Sequence, residues 1–230
     1  MGAMKGVFYG VGVGPGDPEL MTLKAVRVLR DCPVIAAPRT RDGAMLALDI
    51  AAQAVDLKEK MILPLFFPME RDAQRLETAH RAAAEAVESC LEQGKDVAML
   101  NLGDVSIYAT YSYLMELLSE KGYETRMIPG VPSFCAVAAR LGVSLTSMNA
   151  PLHILPAGGS DTEALLALPG TKILMKSGKS MARVAGMLEE KGLNAKAVQN
   201  CGLPGEAVWE RLSAETPVSA GYFTTIVVKE

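Results

Sequence analysis

The chain has 230 residues, enough for one domain or two with a sizeable core and no need of disulfide or metal staples. Half of it is hydrophobic, 21% is charged and the net charge is −3, which argues against extended disorder and against a basic nucleic-acid-coating face. Mean hydropathy is +0.20, yet no apolar run approaches the about 20 residues of a membrane-spanning helix.

Residues Met1, Gly2 and Ala3, ahead of Met4, read as an expression remnant or an alternative start. The apolar stretch from Lys5 to Gly16 is short and glycine-rich and lacks the basic start and cleavage site of a signal peptide. The cysteines Cys32, Cys90, Cys135 and Cys201 are scattered, and with His80 and His153 they form no metal-ligand spacing. A cytoplasmic protein with no protein-bound metal, no nucleic-acid partner and no membrane contact is therefore expected.

In chain order, Val7–Val13 reads as a buried strand running into Gly14-Pro15-Gly16-Asp17-Pro18. Glu19–Arg30 has Leu20, Leu23, Val26 and Leu29 at helical spacing, with Asp17 as its cap. Strand Pro33–Ala37, helix Ala44–Val55, strand Met61–Phe67 and the long helix Arg71–Gln93 follow. Next come strand Asp96–Leu102 and helix Ile107–Lys121. In the second half, Glu124–Ile128, His153–Pro156, Lys172–Met175, Ala195–Asn200, Val208–Ser213 and Gly221–Lys229 read as strands. Ser133–Leu141, Asp161–Leu168 and Ser180–Lys191 read as helices. The alternation predicts an α/β fold with mostly parallel sheets, the last pairings being open to an antiparallel arrangement. The turn at Lys121-Gly122-Tyr123 is the expected boundary between domains 4–122 and 123–230.

Three strand-end loops stand out, because ligands gather at the carboxyl ends of parallel strands. The first, Gly10-Val11-Gly12-Val13-Gly14-Pro15-Gly16, lets a ligand approach backbone, but it breaks the GxGxxG pattern and lacks a Walker lysine. A plain tight turn accounts for it equally well. The second is Leu102-Gly103-Asp104-Val105-Ser106-Ile107-Tyr108, where Asp104 is a candidate base or a helix cap. The third, Pro129-Gly130-Val131-Pro132-Ser133, opens a helix that Ser133 is placed to cap.

Together, Val11 to Ala25, Gly103-Asp104 and Pro129-Gly130-Val131 resemble, in order, the signatures of the tetrapyrrole methylases, the class III S-adenosylmethionine-dependent methyltransferases. The resemblance runs from Met4 to Glu230. Within that family, Phe67-Pro68-Met69 and Leu100 to Leu114 look like the precorrin-2 or cobalt-factor II C-20-methyltransferases of cobalamin synthesis. The uroporphyrinogen III methyltransferases carry Gly-Gly-Asp-Pro and a basic run where this chain has Leu102, Val105 and Ala109-Thr110.

The resemblance implies two α/β domains, a methyl donor in a cleft between them, and a homodimer. It also implies S-adenosyl-L-methionine as donor, S-adenosyl-L-homocysteine as product and a tetrapyrrole as acceptor. Carried over by motif, donor contacts fall on Pro15, Leu102, Gly103, Asp104, Ile107, Pro132 and Ser133, and more loosely on Met175, Leu203 and Thr225. Asp104 is the candidate to take the meso proton or to stabilise the positive charge of the arriving methyl. Arg39, Arg41, Lys176 and Lys179 are candidate partners of substrate carboxylates, and Tyr108 a candidate cleft residue; solvated surface charge is the competing reading for each cation. His80 reads as a solvated helix residue and His153 as a satisfied core or edge histidine rather than a ligand. A nucleotide-binding regulatory module, or a methylase acting on an elongation-factor histidine or a ribosomal RNA ribose, are the other readings of the same loops.

Overall fold

The structure is a computed structural model describing residues 5–68, 72–159, 161–214 and 221–229. The chain divides into two units, Met1–Pro132 and Ser133–Glu230.

The first unit holds five strands: β1 (Phe8–Gly12), β2 (Val34–Arg39), β3 (Met61–Phe66), β4 (Val97–Asn101) and β5 (Thr125–Ile128). Their order is β3-β2-β4-β1-β5, and every pairing is parallel. Four helices connect them: α1 (Leu23–Asp31), α2 (Leu46–Ala54), α3 (Ala73–Glu92) and α4 (Tyr111–Glu120). The short apolar runs become strands because a parallel sheet is covered on both faces and needs no polar alternation. On one face Phe8, Val34, Ala36, Val97 and Met99 pack with Val87 and Leu91 of α3 and with Tyr111, Leu114 and Leu118 of α4. The Tyr111 hydroxyl lies 3.2 Å from the Phe8 carbonyl and 3.0 Å from that of Arg126, tying α4 to β1 and β5. Burial pushes that phenol up to about 12.

The second unit has α5 (Ser133–Leu141), β6 (Leu152–Pro156), α6 (Thr162–Leu166), β7 (Thr171–Met175), α7 (Met181–Glu190), β8 (Asn194–Gln199), β9 (Ala207–Trp209) and β10 (Thr224–Lys229). Its sheet runs β6-β7-β10-β8-β9. Only β6 and β7 are parallel; β10 is antiparallel to both β7 and β8, and β9 to β8. Leu155, Leu174, Ala197, Ile226 and Val228 of the sheet bury against Leu166 of α6 and Met181, Val184 and Leu188 of α7.

Four expectations change. The domain boundary moves from Lys121-Gly122-Tyr123 to Pro132, because β5 pairs with β1 and so belongs to the first sheet. The helix expected over Glu19–Arg30 is a single 3-10 turn at Pro18–Leu20, capped by Asp17, followed by α1. Thr22, extended, restarts the helix by accepting from the Ala25 N–H, so Leu23 points outward at 90% exposure while Ala25 and Leu29 are buried. Third, α4 begins at Tyr111 rather than Ile107; Tyr108 sits in the preceding turn at φ 52°. Last, the final two strands are shorter than expected, β9 ending at Trp209 and β10 starting at Thr224. Met1–Met4, Met69, Arg71 and the Lys179 side chain lie outside the described residues.

Candidate functional site

The three glycine loops meet in the first unit. After β1, Gly14 (φ 77°) faces Gly103 (φ 75°), which follows β4. The Gly14 N–H donates to the Gly103 carbonyl at 3.2 Å and the Gly103 N–H to the Gly14 carbonyl at 2.7 Å. This reciprocal pair stitches two strand-end loops through backbone alone. Both positions use a left-handed conformation that L side chains rarely adopt.

The third loop closes against the same point. A Cβ on Gly130 would stand 2.3 Å from the Gly103 carbonyl oxygen, and one on Gly12 would stand 2.7 Å from the Gly130 nitrogen. Glycine is therefore required here by close backbone approach. The Gly130 N–H donates to Asp104 Oδ2 at 2.8 Å. Asp104 Oδ1 accepts from the Ser106 N–H at 2.8 Å and from the Ser106 hydroxyl.

Asp104 thus spans the second and third loops, and it is 8% exposed. Burial raises its pKa, but hydrogen bonds from the Ser106 hydroxyl and from the backbone of Ser106, Gly130 and Val105 outweigh that and hold the carboxyl below its ordinary value. The side chain does not cap α4, whose N-cap is Thr110. Its geometry is that of a clamp carrying an ionised carboxylate.

Of the other expected donor residues in this unit, Pro15 is buried in the first loop, and Leu102 and Pro132 are half-buried. The Ile107 N–H reaches the Asp104 carbonyl at 3.4 Å. Thr22 braces the third loop from α1, its hydroxyl 3.4 Å from the Pro129 carbonyl.

The second unit gathers the remaining candidates along one edge of its own sheet. Because β10 is antiparallel to β7 and β8, its start lies beside their ends. The Ser133 hydroxyl opens α5 and lies 3.4 Å from the Thr225 hydroxyl on β10. Met175 ends β7; Lys176 follows at φ 57° and Asn200 follows β8 at φ 51°. The Leu203 N–H donates to the Asn200 carbonyl at 2.8 Å, and the Asn200 N–H to that of Phe223 at 3.0 Å.

Among the substrate candidates, Arg39 is exposed at the end of β2, its guanidinium carbon 5.7 Å from the Phe66 ring centre. Arg41 and Tyr108 are exposed in loops of the first unit, and Lys176 in the second. His80 is half-buried rather than solvated: its ring stacks on Tyr113 at 4.4 Å and 13°. Of the two settings expected for His153, core or edge, the structure has the edge: it lies on edge strand β6, its Nε2 3.0 Å from the Pro169 carbonyl. Sequence reasoning missed Ser106 and the Gly130 N–H as partners of Asp104. The Asp-x-Ser spacing signals the first, since such an aspartate accepts from the backbone two residues on. Nothing local signals the second.

Residues 7–216 match the family model for Tetrapyrrole (Corrin/Porphyrin) Methylases. Over 170 residues the chain is 39% identical to the probable cobalt-precorrin-2 C(20)-methyltransferase of Methanocaldococcus jannaschii, covering 74% of this chain and 71% of that one. It is 30% identical over 235 residues to the cobalt-precorrin-2 C(20)-methyltransferase of Salmonella typhimurium, covering 99% and 98%. Among solved structures, uroporphyrin-III C-methyltransferase of Thermus thermophilus complexed with S-adenosylhomocysteine superposes at a TM-score of 0.69, with 22% identity and 98% of both chains covered. The chain belongs to the tetrapyrrole methylase family.

Proposed function

We propose that the protein transfers a methyl group from S-adenosyl-L-methionine to the C-20 meso carbon of a cobalt-loaded precursor, cobalt-precorrin-2 or its oxidised form cobalt-factor II. The observation that carries this reading is the end-to-end similarity to the Salmonella enzyme, which covers all three glycine loops. The donor set fits the group. Every hydrogen bond to Asp104 described above comes from an uncharged donor, so the carboxylate keeps its negative charge in a buried place where charge is poorly screened. That field suits a sulfonium cation, and loops bonded through backbone suit a ligand rich in ribose and amino-acid hydrogen-bonding groups.

When bound, S-adenosylmethionine supplies an electrophilic methyl on a sulfonium. Transfer to carbon is an in-line displacement, and the protein's first contribution is to hold donor and acceptor at near-attack distance. Pro15, Leu102, Gly103, Ile107 and Pro132 would hold the donor in the first unit; Ser133, Met175, Leu203 and Thr225 would do so in the second. Asp104 would hold two of those loops together and oppose the positive charge present as the methyl transfers. A carboxylate already accepting three hydrogen bonds is a weak base, and removal of the meso proton is assigned to solvent rather than to Asp104. Arg39, Arg41, Lys176 and Tyr108 are the proposed contacts to the acceptor, the three cations meeting its carboxylates.

An anaerobic assay offering metal-free and cobalt-loaded precorrin-2 side by side, read by product mass, tests the function. One added methyl on the cobalt-loaded precursor, in excess over the metal-free one, is expected. Preference for the metal-free compound would reassign the substrate, and no added methyl on either would overturn the reading. A homodimer acting in the cytoplasm completes the proposal. The family resemblance supports the dimer, and four cysteines scattered along the chain with no pairing pattern support a reducing compartment. Light scattering after gel filtration should return twice the chain mass.

A further inference from the structure

The second unit holds a carboxylate clamp of its own. β8 ends at Gln199 and β9 begins at Ala207, and these two residues are register partners. The connection between them, residues 200–206, therefore leaves and rejoins the sheet at neighbouring points, and it carries Leu203. Asn200, Gly202 and Gly205 in it adopt left-handed backbone, at φ 51°, 75° and 78°. Glycine loses more conformational freedom than any other residue when a loop is ordered. A short loop with two of them holds one shape only if other groups fix it.

Backbone fixes the start of this loop, through the Asn200 N–H and the Phe223 carbonyl. Side chains fix the rest. Glu206 Oε2 accepts from the Gly202 N–H at 3.0 Å, back across the loop. Glu206 Oε1 accepts from Arg140 Nε at 2.6 Å. Arg140 stands in the last turn of α5, about two helical turns after Ser133. One carboxylate oxygen thus holds the loop that carries Leu203, and the other holds the helix that Ser133 opens. Asp104 accepts from the Gly130 N–H in the same manner in the first unit. The Gly202 N–H, and then Arg140, hold the Glu206 carboxyl below its ordinary value, so both oxygens are acceptors at neutral pH. An isolated surface ion pair contributes little. Here the Glu206 side chain is only 26% exposed and is also bonded to backbone, so the pair fixes a main-chain position.

We infer that Glu206 is a positioning residue of the donor site: it holds the loop of residues 200–206 in the shape that presents Leu203 to S-adenosyl-L-methionine, and Arg140 aims the Glu206 carboxylate. The inference rests on the reading of Leu203 as a donor contact. Neither charged side chain is assigned a contact to the ligand. A binding group on a loop works only when its supporting contacts keep it in place, and here those contacts are the two bonds to Glu206. Their loss acts on affinity for the donor and leaves the transfer step unchanged.

The test uses the full-length protein with Glu206→Ala, Arg140→Ala, the double variant and the conservative Arg140→Lys. Both side chains reach water, so their truncation leaves the core intact. Three quantities are read: amide hydrogen exchange across residues 200–206 in the free protein, the Kd of S-adenosylhomocysteine by calorimetry, and KM for S-adenosylmethionine with kcat on cobalt-precorrin-2. Glu206→Ala should speed exchange in the loop and raise both the Kd and the donor KM about fivefold, with kcat at saturating donor unchanged. Arg140→Ala should shift the same quantities in the same direction by less. Arg140→Lys, which keeps the cation, should stay within about twofold of the unaltered protein. The double variant should be no weaker than Glu206→Ala alone, because Arg140 acts through Glu206; losses that add would overturn the role of Arg140. Exchange unaltered in Glu206→Ala overturns the inference and leaves the proposed function standing. So does faster exchange beside a Kd within about 1.5-fold of the unaltered protein, which would mean that the loop is clamped but does not meet the donor. An unaltered protein that does not bind S-adenosylhomocysteine overturns both.

Discussion

Asp104 is the residue on which the first unit's loops depend. Replacing it by Asn keeps the shape and removes the charge, but whichever way the amide turns, its NH2 faces either the Gly130 N–H or the Ser106 N–H. A donor left against a donor costs about 1–3 kcal/mol. Asp104→Asn should therefore lower stability by that amount and lower kcat about 100-fold through the lost field. The pH dependence separates charge from shape. The folded pKa of Asp104 lies below its unfolded value of about 3.9, so its contribution is complete above that value and disappears as pH falls through the folded pKa. Urea unfolding of both proteins should show a gap at pH 7 that narrows towards pH 3; a gap of constant size would mean that the charge contributes nothing. Gly130 is the second test. Its substitution by Ala drives a methyl into backbone oxygen that no rotamer can move aside. Gly130→Ala should cost about 1–3 kcal/mol and weaken S-adenosylhomocysteine binding, measured by calorimetry.

At the scale of elements, α1 shows where periodicity misleads. Leu20, Leu23, Val26 and Leu29 are spaced as one amphipathic stripe, yet the chain is extended at Met21 and Thr22 and the helix restarts. Leu23→Lys should then be nearly neutral in thermal unfolding, within about 0.5 kcal/mol. Thr22→Ala, which removes the cap to Ala25 and the brace to Pro129, should cost about 1 kcal/mol. The opposite ranking would mean that the helix runs through. Strands and long helices were legible because their apolar runs are local signals. The pairing of β5 with β1 was not, because a parallel partner is chosen across the whole unit. The same distinction holds for the site. Gly14, Gly103 and Asp104 stand out in the sequence through glycine chemistry and motif. The His80–Tyr113 stack joins residues of two helices and has no local mark.

The described residues form two sheets of different construction, one entirely parallel and one mixed. Candidate residues carried over from a single family pattern are distributed over both, at strand-end edges in each case. The three signature loops belong to the first sheet, and Ser133, Met175, Leu203 and Thr225 to the second unit. Each set is fixed by its own sheet.

The position of β9 offers an optical route into that division. Trp209 is the chain's single tryptophan, and it sits at the end of this edge strand in the second unit. Fluorescence excited selectively in the indole therefore reports one half of the molecule, while far-ultraviolet dichroism reports both. If the units melt separately, the two signals will give different midpoints in the same denaturant series; coincident curves will show one cooperative transition. An ordinary fluorimeter, with no label attached, can thus follow the second unit through unfolding or ligand titration.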